Sequence, residues 1–189
     1  MRVIAGTARS LPLKTVRGSA TRPTTDRIKE TLFNMISSRI PGCRFLDLFS
    51  GSGAIGIEAL SRGAACAAFV EQDRNALAVI RQNLNFTHLT EHARVIAGDA
   101  VRIVRSMDGE KPFDVIFMDP PYENGLERKV LEALRDNTIV NPDTLVIIEA
   151  SADTDFPYLE ELGYTMTREK HYGSNRHVFL RKKEADRSE

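Results

Sequence analysis

The segment Asp119-Pro120-Pro121-Tyr122 carries the residues of this chain that are best suited to chemistry. Its two successive prolines remove two backbone N–H donors, and each pushes the preceding residue towards extended geometry. We therefore expect a stiff edge that presents acceptors, the Asp119 carboxylate and the Pro120 carbonyl, and no competing donors. Acceptors on both N–H bonds of an aryl amine would localise its lone pair towards an electrophile, so we interpret Asp119 to Tyr122 as catalytic.

Tyr122 adds an aromatic ring to this edge. A flipped-out or single-stranded nucleic-acid base could stack on the ring, a contact worth roughly 1–3 kcal/mol. Taken alone, Asp-Pro-Pro could equally be a structural turn in which Asp119 caps the next helix. The segment follows an apolar strand, and the chain also contains a matching glycine turn, so we favour the chemical interpretation.

That glycine turn lies between the first apolar strand and its helix, with Gly51, Gly53 and Gly56 in the spacing of the dinucleotide fingerprint. Glycines allow a tight turn and let a ligand approach the backbone. Glu71 ends the second strand, 20 residues after Gly51, where an acid that binds a ribose belongs. A nicotinamide dinucleotide and S-adenosylmethionine both fit this pattern.

Asp47 favours the second of these cofactors. A carboxylate just ahead of the glycines would repel a pyrophosphate, but it suits a cationic sulfonium and an amino group. Hydride transfer also has no use for the acceptor edge at Asp119. Asp99, after the third strand, could accept a hydrogen bond from the adenine amino group, although Gly-Asp is also common turn chemistry.

The elements that must position these residues follow from hydrophobic periodicity. A helix should begin at Thr24 or Thr25, with Asp26 in its first turn, and end at Pro41-Gly42. Its apolar face comprises Ile28, Leu32, Met35 and Ile36. Before it, short strands at 2–5 and 11–16 could form a hairpin. From residue 44 we expect strands at 44–49, 67–71, 94–97, 113–118 and 144–150, and helices at 52–62, 73–85, 100–106 and 126–136. A last helix near Tyr158 should precede strands at 165–170 and 177–181.

Strands that alternate with helices predict an α/β fold with a parallel sheet and helices on both faces. Ligands of such sheets lie at the carboxyl ends of the strands, near the point where the strand order reverses. We therefore expect the glycine turn and the Asp119 segment to open onto one shared cavity at that edge.

Length and composition fit a single domain with a small extension, because 189 residues with 42% hydrophobic and 28% charged side chains can bury a core. The chain has no run of about 18 apolar residues and no apolar stretch typical of a signal peptide, so we expect a cytoplasmic protein outside the membrane. His88 and His92 lie four apart, but no acid with ligand spacing supports a metal, and we predict none.

The charges are unevenly distributed although the net charge is zero. Residues 1–44 hold nine Lys or Arg and two Asp or Glu, a net charge of +7. Residues 168–189 have a net charge of +3, and residues 45–167 have a net charge of −10. Basic ends around an acidic body suggest a polyanionic partner, or simply a solvated surface.

Together the glycine turn and the Asp119 segment resemble those of class I S-adenosylmethionine methyltransferases of the amino-group type. The remaining motifs resemble the bacterial RsmD family over nearly the whole chain. The matching segments are Ile4-Ala5-Gly6, Arg22-Pro23-Thr24-Thr25-Asp26-Arg27, Glu30-Thr31-Leu32-Phe33-Asn34, Leu46-Asp47-Leu48-Phe49, Gly51-Ser52-Gly53 and Glu58-Ala59-Leu60-Ser61-Arg62-Gly63.

This resemblance implies a Rossmann-like fold with a seven-stranded, mostly parallel sheet that contains one antiparallel strand. It implies an N-terminal extension of hairpin and helix at 1–43, a methyltransferase domain at 44–183 and a polar tail at 184–189. It also implies methyl transfer to N2 of one guanine in small-subunit (16S) ribosomal RNA, guanine 966 in the family. The partner would be this RNA or a small-subunit assembly particle, and we expect a monomer.

The resemblance further implies roles for individual residues. Those expected to bind S-adenosylmethionine are Thr24, Asp26, Asp47, Phe49, Ser50, Gly51, Ser52, Gly53, Glu71, Gln72, Asp99 and Ala100. Those expected to contact RNA are Arg9, Arg17, Arg22 and Arg27, and Lys14 is a further candidate for a phosphate contact. Ser50 stands where the family leads us to expect alanine, and we interpret Tyr172 as a packing residue.

The acceptor edge does not itself choose a base, because adenine N6, cytosine N4 and guanine N2 are all exocyclic amines. The alternatives are therefore another amino methyltransferase, acting on DNA adenine or a protein glutamine, or a nucleic-acid-binding module with a vestigial site. The chain has no added target-recognition domain of the kind that enzymes which open duplex DNA often carry. That favours a base already exposed in RNA.

Overall fold

The computed structural model describes residues 1–16, 25–121 and 125–184. The strands of this part are β1 (Arg44–Leu48), β2 (Cys66–Glu71), β3 (Ala93–Ala97), β4 (Val115–Met118), β5 (Leu145–Ser151), β6 (Tyr164–Tyr172) and β7 (Asn175–Lys182). The α-helices are α1 (Asp26–Met35), α2 (Ala54–Ser61), α3 (Arg74–Phe86), α4 (Ala100–Ser106) and α5 (Leu126–Arg135), and short 3₁₀ helices lie at Ser37–Arg39 and Thr90–His92.

The seven strands form one sheet in the order β3-β2-β1-β4-β5-β7-β6. Strands β1 to β5 are parallel to one another, whereas β7 runs antiparallel to both β5 and β6. The predicted mostly parallel sheet with one antiparallel strand is therefore confirmed. The strand order reverses between β1 and β4, so the carboxyl ends of these two strands should flank a ligand crevice.

Both faces of the sheet are covered, which explains why strands such as Val115–Met118 are apolar throughout. On one face, Phe45 and Phe117 pack in a core shared with Phe33 of α1, Ile57 of α2 and Ile80 of α3. On the other face, the core comprises Leu46, Ile116, Val104 of α4 and Val130 and Leu131 of α5. Helices on both faces are thus confirmed.

Side-chain caps begin three of the helices. The Thr25 hydroxyl accepts a hydrogen bond from the Ile28 N–H at 3.3 Å. The sequence left open whether Thr24 or Thr25 caps α1, and the structure shows that Thr25 does. Asp73 caps α3 and Asp99 caps α4 through N–H groups three residues on, at 2.8 and 3.0 Å. These caps fix the positions of α3 and α4 directly after the ends of β2 and β3.

The predicted N-terminal strands at 2–5 and 11–16 are wrong in part. The segment does fold back on itself, with the Val3 N–H bonded to the Leu11 carbonyl at 3.0 Å, but Arg2 and Pro12 form its single β-bridge. The Leu13 N–H also bonds to the Met1 carbonyl at 3.1 Å, but the strands extend no further within residues 1–16 because the next N–H donors bond to α2 instead. The Ile4 N–H bonds to the Glu58 carboxylate at 2.8 Å, and the Ala8 N–H bonds to the Ser61 hydroxyl at 2.9 Å.

The predicted helix near Tyr158 is also wrong, because residues 157–163 form turns. The Leu162 N–H does bond to the Tyr158 carbonyl at 3.0 Å, but Pro157 and Gly163 leave too few residues between them for a helix to continue. The two strands that follow are longer than predicted, since β6 and β7 pair directly with each other across a tight turn at Gly173-Ser174.

Candidate active site

The carboxyl ends of β1, β2 and β4 open into one cavity of about 570 Å³, a size typical of small-molecule sites. Both motif loops line it, which confirms the expectation that they share a cavity. The predicted site residues on its wall are Asp47, Phe49, Ser50, Gly51, Ser52, Glu71, Gln72, Asp99, Ala100, Asp119 and Pro121.

The glycine turn is tightly wound at the cavity wall. Phe49, Gly51 and Gly53 all have positive φ, at 61°, 54° and 78°. Phe49 is held in this costly conformation by the residues around it. The Ser50 hydroxyl donates to the Asp47 carbonyl at 2.7 Å, so this serine, where we expected alanine, adds a hydrogen bond across the turn. Gly53 begins α2 against Ile80 and does not line the cavity.

Asp47 presents a buried carboxyl group to this cavity, with 1% of the residue exposed. Its Oδ2 accepts a hydrogen bond from the Gly56 N–H at 3.0 Å. Burial raises the pKa of Asp47 to about 7, the Gly56 hydrogen bond opposes the rise, and the charge of Glu71 adds to it. A cation bound beside Asp47 would relieve this electrostatic cost.

Glu71 connects the end of β2 to the glycine turn at the end of β1. Its Oε2 accepts from the Gly51 N–H at 2.8 Å, and its Oε1 accepts from the Gln72 and Asp73 N–H groups at 2.8 and 2.9 Å. The carboxylate is thus fixed in direction by three backbone donors while it remains on the cavity wall.

Asp119 follows β4 and is half-buried. Burial, then the negative charge of Glu149 and that of Asp47, raise the pKa of the Asp119 carboxyl group well above its ordinary value. Pro121 lies on the cavity wall, whereas Pro120 is buried and does not. Tyr122, the fourth predicted catalytic residue, lies outside the described residues.

Several predicted residues are not brought to the cavity wall. Asp26 instead accepts a 3.1 Å hydrogen bond from the Arg2 N–H, which ties α1 to the N-terminal segment. Arg9 and Arg27, predicted to contact RNA, are exposed on the N-terminal extension, as is Lys14. Thr24, Arg17 and Arg22 lie outside the residues that the structure describes.

The N-terminal segment itself contributes to the cavity, which the sequence did not indicate. Met1, Thr15 and Val16 all line it. Asn83 of α3 holds this segment, since its side chain accepts from the Lys14 N–H at 2.9 Å and donates to the Lys14 and Ser52 carbonyls at 3.0 and 2.9 Å. The sequence did contain one signal for this contact, because Asn83 is a polar residue on the apolar, inward face of α3, one turn after Ile80.

A buried ionic network fixes the other end of the segment. The Lys29 ammonium lies 3.3 Å from Glu58 and donates to the Arg2 carbonyl at 2.5 Å, and neither charged side chain is exposed. Arg62 also pairs with Glu58, at 2.7 Å. Burial lowers the pKa of Lys29, and the Glu58 charge opposes that change. Glu58 belongs to a segment that matched the family, but nothing local marked Lys29 as buried.

Within residues 1–16, 25–121 and 125–184, we find no cluster of three or more His, Cys, Asp or Glu side chains that could hold a metal ion. The helices in this part of the chain are also too short or too polar to span a membrane.

Comparisons with known proteins identify the family. The family model described as "Conserved hypothetical protein 95" matches residues 1–181. The chain is 41% identical to the Bacillus subtilis protein YlbH over 175 residues, which cover 92% of this chain and 94% of that relative. It is 34% identical to the ribosomal RNA small subunit methyltransferase D of Haemophilus influenzae over 174 residues, which cover 92% of this chain and 89% of that relative.

Structural comparison agrees with this result. The solved structure of the Escherichia coli protein yhhF matches this chain with a TM-score of 0.82 at 33% sequence identity, covering 97% of this chain and 98% of that chain. The fold is the Rossmann-like fold of class I methyltransferases. From its motifs, its sheet topology and these matches, the chain belongs to the family described as "Conserved hypothetical protein 95", the RsmD family.

Proposed function

We propose that this chain transfers a methyl group from S-adenosylmethionine to the exocyclic N2 of a guanine in 16S ribosomal RNA, guanine 966 in the family. The observation that carries this proposal is the shared cavity, which is lined both by Asp119 of the proposed amine-binding edge and by Asp47, just ahead of the glycine turn. Support for the RNA substrate comes from relatives named ribosomal RNA small subunit methyltransferase D.

The cavity residues suit S-adenosylmethionine in charge. Asp47, buried at a cost that a cation would offset, would hold the amino group of the methionine moiety. The Glu71 carboxylate would accept hydrogen bonds from the ribose hydroxyls, and Asp99 and Ala100 would bind the adenine. The glycine turn lets the ligand approach the backbone closely at Gly51.

When bound, S-adenosylmethionine supplies a methyl group on a positively charged sulfur. The chain's own contribution is then to position the amine and to stabilise the positive charge that grows on its nitrogen. Asp119 would accept a hydrogen bond from one N–H of the amine. The Pro120 carbonyl, between the cavity-lining residues Asp119 and Pro121, would accept the other. Transfer of the methyl group from sulfur to nitrogen leaves one proton too many on the amine. The raised pKa of Asp119 makes its carboxylate a better base, so it can take that proton.

The N-terminal extension would contact the RNA. Its residues Met1, Thr15 and Val16 line the cavity, and Lys14, next to Thr15, is exposed. Arg9 is also exposed, but its neighbour Ala8 bonds to Ser61 at the far end of α2. Together with Arg27 of α1, these cations would bind phosphates and make binding sensitive to salt.

A methyl-transfer assay tests this function. Labelled S-adenosylmethionine is supplied with naked 16S ribosomal RNA, complete or partly assembled small subunits, DNA, or a glutamine-containing protein. We expect label only in the RNA or the particles, and N2-methylguanosine after digestion to nucleosides. Asp119→Ala should lower the rate by about 100-fold or more, in line with the loss of one transition-state contact.

The matched control is Asp143→Ala, which removes an exposed carboxylate and should leave the rate unchanged. Label in DNA or in glutamine, or a methylated base other than guanine, would overturn the proposed substrate. Full activity of Asp119→Ala would overturn the assignment of the acceptor edge.

A further inference from the structure

A single buried amide, that of Asn83 on α3, joins two segments that line the cavity. Its oxygen accepts a hydrogen bond from the Lys14 N–H at 2.9 Å, and its Nδ2 donates to the carbonyls of Lys14 and Ser52 at 3.0 and 2.9 Å. Ser52 belongs to the glycine turn and lines the cavity, as does Thr15, which directly follows Lys14. Asn83 is 1% exposed and is not on the cavity wall, so it can affect a ligand only through these neighbours.

The hydrogen bonds explain why an asparagine stands at this position. Asn83 lies on the face of α3 that also buries Leu77, Ile80 and Leu84, where an amide is costly unless it is hydrogen-bonded. The amide oxygen meets one N–H and the NH2 group meets two carbonyls, so donors match acceptors. An apolar side chain could not make these bonds, and an aspartate would turn a carboxylate oxygen towards two carbonyl oxygens.

Asn83 is also the last anchor of the N-terminal segment before its cavity-lining end. Thr15 and Val16 make no hydrogen bond with another residue in the part of the chain that the structure describes. The Lys14 ammonium does donate to Gln82 at 3.0 Å, but this contact is exposed and water competes for it. The place of Thr15 and Val16 on the wall therefore depends on the hold of Asn83 on the Lys14 backbone.

The two joined segments lie at the end of the cavity that is proposed to hold the methionine moiety. Ser52 follows Gly51 in the glycine turn after β1, and the Met1 sulfur lies 3.9 Å from the Ser52 hydroxyl. The residues proposed to bind adenine, Asp99 and Ala100, follow β3, which is two strands and thus about 10 Å away across the sheet. A displacement of these segments would therefore affect the amino-acid end of the cofactor more than its adenine.

We propose that Asn83 is a positioning residue for the cofactor, which holds the N-terminal segment against the glycine turn and so shapes the subsite for the amino-acid end of S-adenosylmethionine. Without its NH2 group, the carbonyls of Lys14 and Ser52 would lose their shared donor, and repulsion would move Thr15 away from the turn. The inference rests on the proposed function, because that function assigns the cavity to S-adenosylmethionine.

The test uses two ligands that share an adenine, a ribose and a thioether. S-Adenosylhomocysteine also has the amino-acid group, and methylthioadenosine lacks it. Isothermal titration calorimetry measures both affinities for the wild type and for Asn83→Asp, which keeps an acceptor for the Lys14 N–H but loses both donor bonds. The variant should bind S-adenosylhomocysteine at least about 10-fold more weakly, whereas its affinity for methylthioadenosine should stay within about twofold of the wild type.

Asn137→Asp is the matched control, because Asn137 is another buried amide that holds a loop. Its side chain accepts from the Ile139 N–H at 3.1 Å and donates to the Val104 carbonyl at 2.8 Å. It lies near the start of β4, at the edge of the sheet opposite the cavity, since the Ile139 carbonyl accepts from the Phe113 N–H. The same substitution should lower Tm, measured by thermal unfolding for both variants, but leave both affinities unchanged.

Two results with Asn83→Asp would overturn the inference and leave the proposed function in place: the same loss of affinity for both ligands, or no loss for either. A loss of S-adenosylhomocysteine affinity in Asn137→Asp as large as that in Asn83→Asp would also overturn it, because the effect would then follow from general destabilisation.

Hydrogen exchange of the wild type decides the question if Asn83→Asp does not fold. At saturation, S-adenosylhomocysteine should slow exchange of the Lys14 N–H more than methylthioadenosine does, because only the former would contact the segment that Asn83 holds. Equal protection by the two ligands would overturn the inference. A wild type that binds neither ligand would instead overturn the proposed function, which needs this cavity for the cofactor.

Discussion

The carboxylate of Glu71 accepts a 2.8 Å hydrogen bond from the backbone N–H of Gly51, and so joins the end of β2 to the glycine turn at the end of β1. The acid proposed to bind the ribose is therefore also part of the structure that shapes the turn. A ligand here would find the carboxylate already oriented, which reduces the entropy lost on binding.

Replacement of Glu71 by glutamine should weaken binding of S-adenosylmethionine by roughly 10- to 100-fold, because a charged acceptor for the ribose hydroxyls is lost. Glutamine keeps an acceptor for the Gly51 N–H but turns its amide NH2 towards the Gln72 and Asp73 N–H groups, so thermal unfolding should first show that the fold is kept. Isothermal titration calorimetry measures the affinity, with Glu161→Gln on the exposed surface as the control. Equal affinity of Glu71→Gln and wild type would contradict the ribose-binding role.

Asp47 should make the stability of the ligand-free protein depend on pH. Folding raises its pKa from 3.8 to about 7, so between these values the folded chain binds more protons than the unfolded chain. The contribution of Asp47 to the free energy of unfolding therefore falls as pH rises through this window. Asp47→Asn abolishes this titration and keeps an acceptor for the Gly56 N–H.

Asp47→Asn should consequently raise Tm relative to the wild type by about 3 °C or more at about pH 8, and by much less at about pH 4. Differential scanning calorimetry without cofactor measures both values. Asp143→Asn, at an exposed site, should give no such pH-dependent difference. A gain of the same size at both pH values would argue against a raised pKa at Asp47.

Lys29→Met should destabilise the fold by about 3 kcal/mol, because it leaves the buried Glu58 carboxylate without one of its cationic partners. Urea unfolding measures the free energy, and hydrogen exchange should become faster across residues 1–16, which Glu58 and Lys29 hold in place. The double variant Lys29→Met/Glu58→Gln should recover part of the loss. Lys111→Met, at an exposed site, is the control. If Lys29→Met lowers the free energy of unfolding by no more than Lys111→Met does, the Lys29–Glu58 pair contributes little to stability.

Gly56→Ala should destabilise the protein by about 1–3 kcal/mol, although alanine is the better helix former by about 1 kcal/mol. The added Cβ would lie 2.3 Å from Cε1 of Phe69, where α2 packs directly on β2. Thermal unfolding measures the loss, and Phe69→Leu in the same chain should relieve part of it. A stabilised Gly56→Ala variant would show that this contact can relax.

Much of the fold and of the site could be predicted from the sequence because the signals are local. The apolar runs, the helix cap at Thr24 or Thr25, the glycine turn and the Asp119 segment each lie within a few residues, and each restricts the backbone wherever the segment is placed. The rule that ligands bind at the carboxyl edge of a parallel sheet then placed both motif loops on one cavity. The same local reasoning was wrong near Tyr158, where Pro157 and Gly163 leave too little chain for a helix.

Only the tertiary structure decided which distant residues meet. Three contacts join residues that are far apart in the chain. Lys29 is buried against Glu58, Asn83 bonds to the backbone of Lys14, and Met1 lies on the cavity wall. Glu149 stands beside Asp119 because β5 pairs with β4 in that register, and register is set by the packing of the whole sheet. Sequence alone determined the kind of chemistry, since residue type and local backbone carry it. The surroundings of the site residues depended on the assembled sheet. They include the charges that raise the pKa of Asp119, because electrostatic effects act through space.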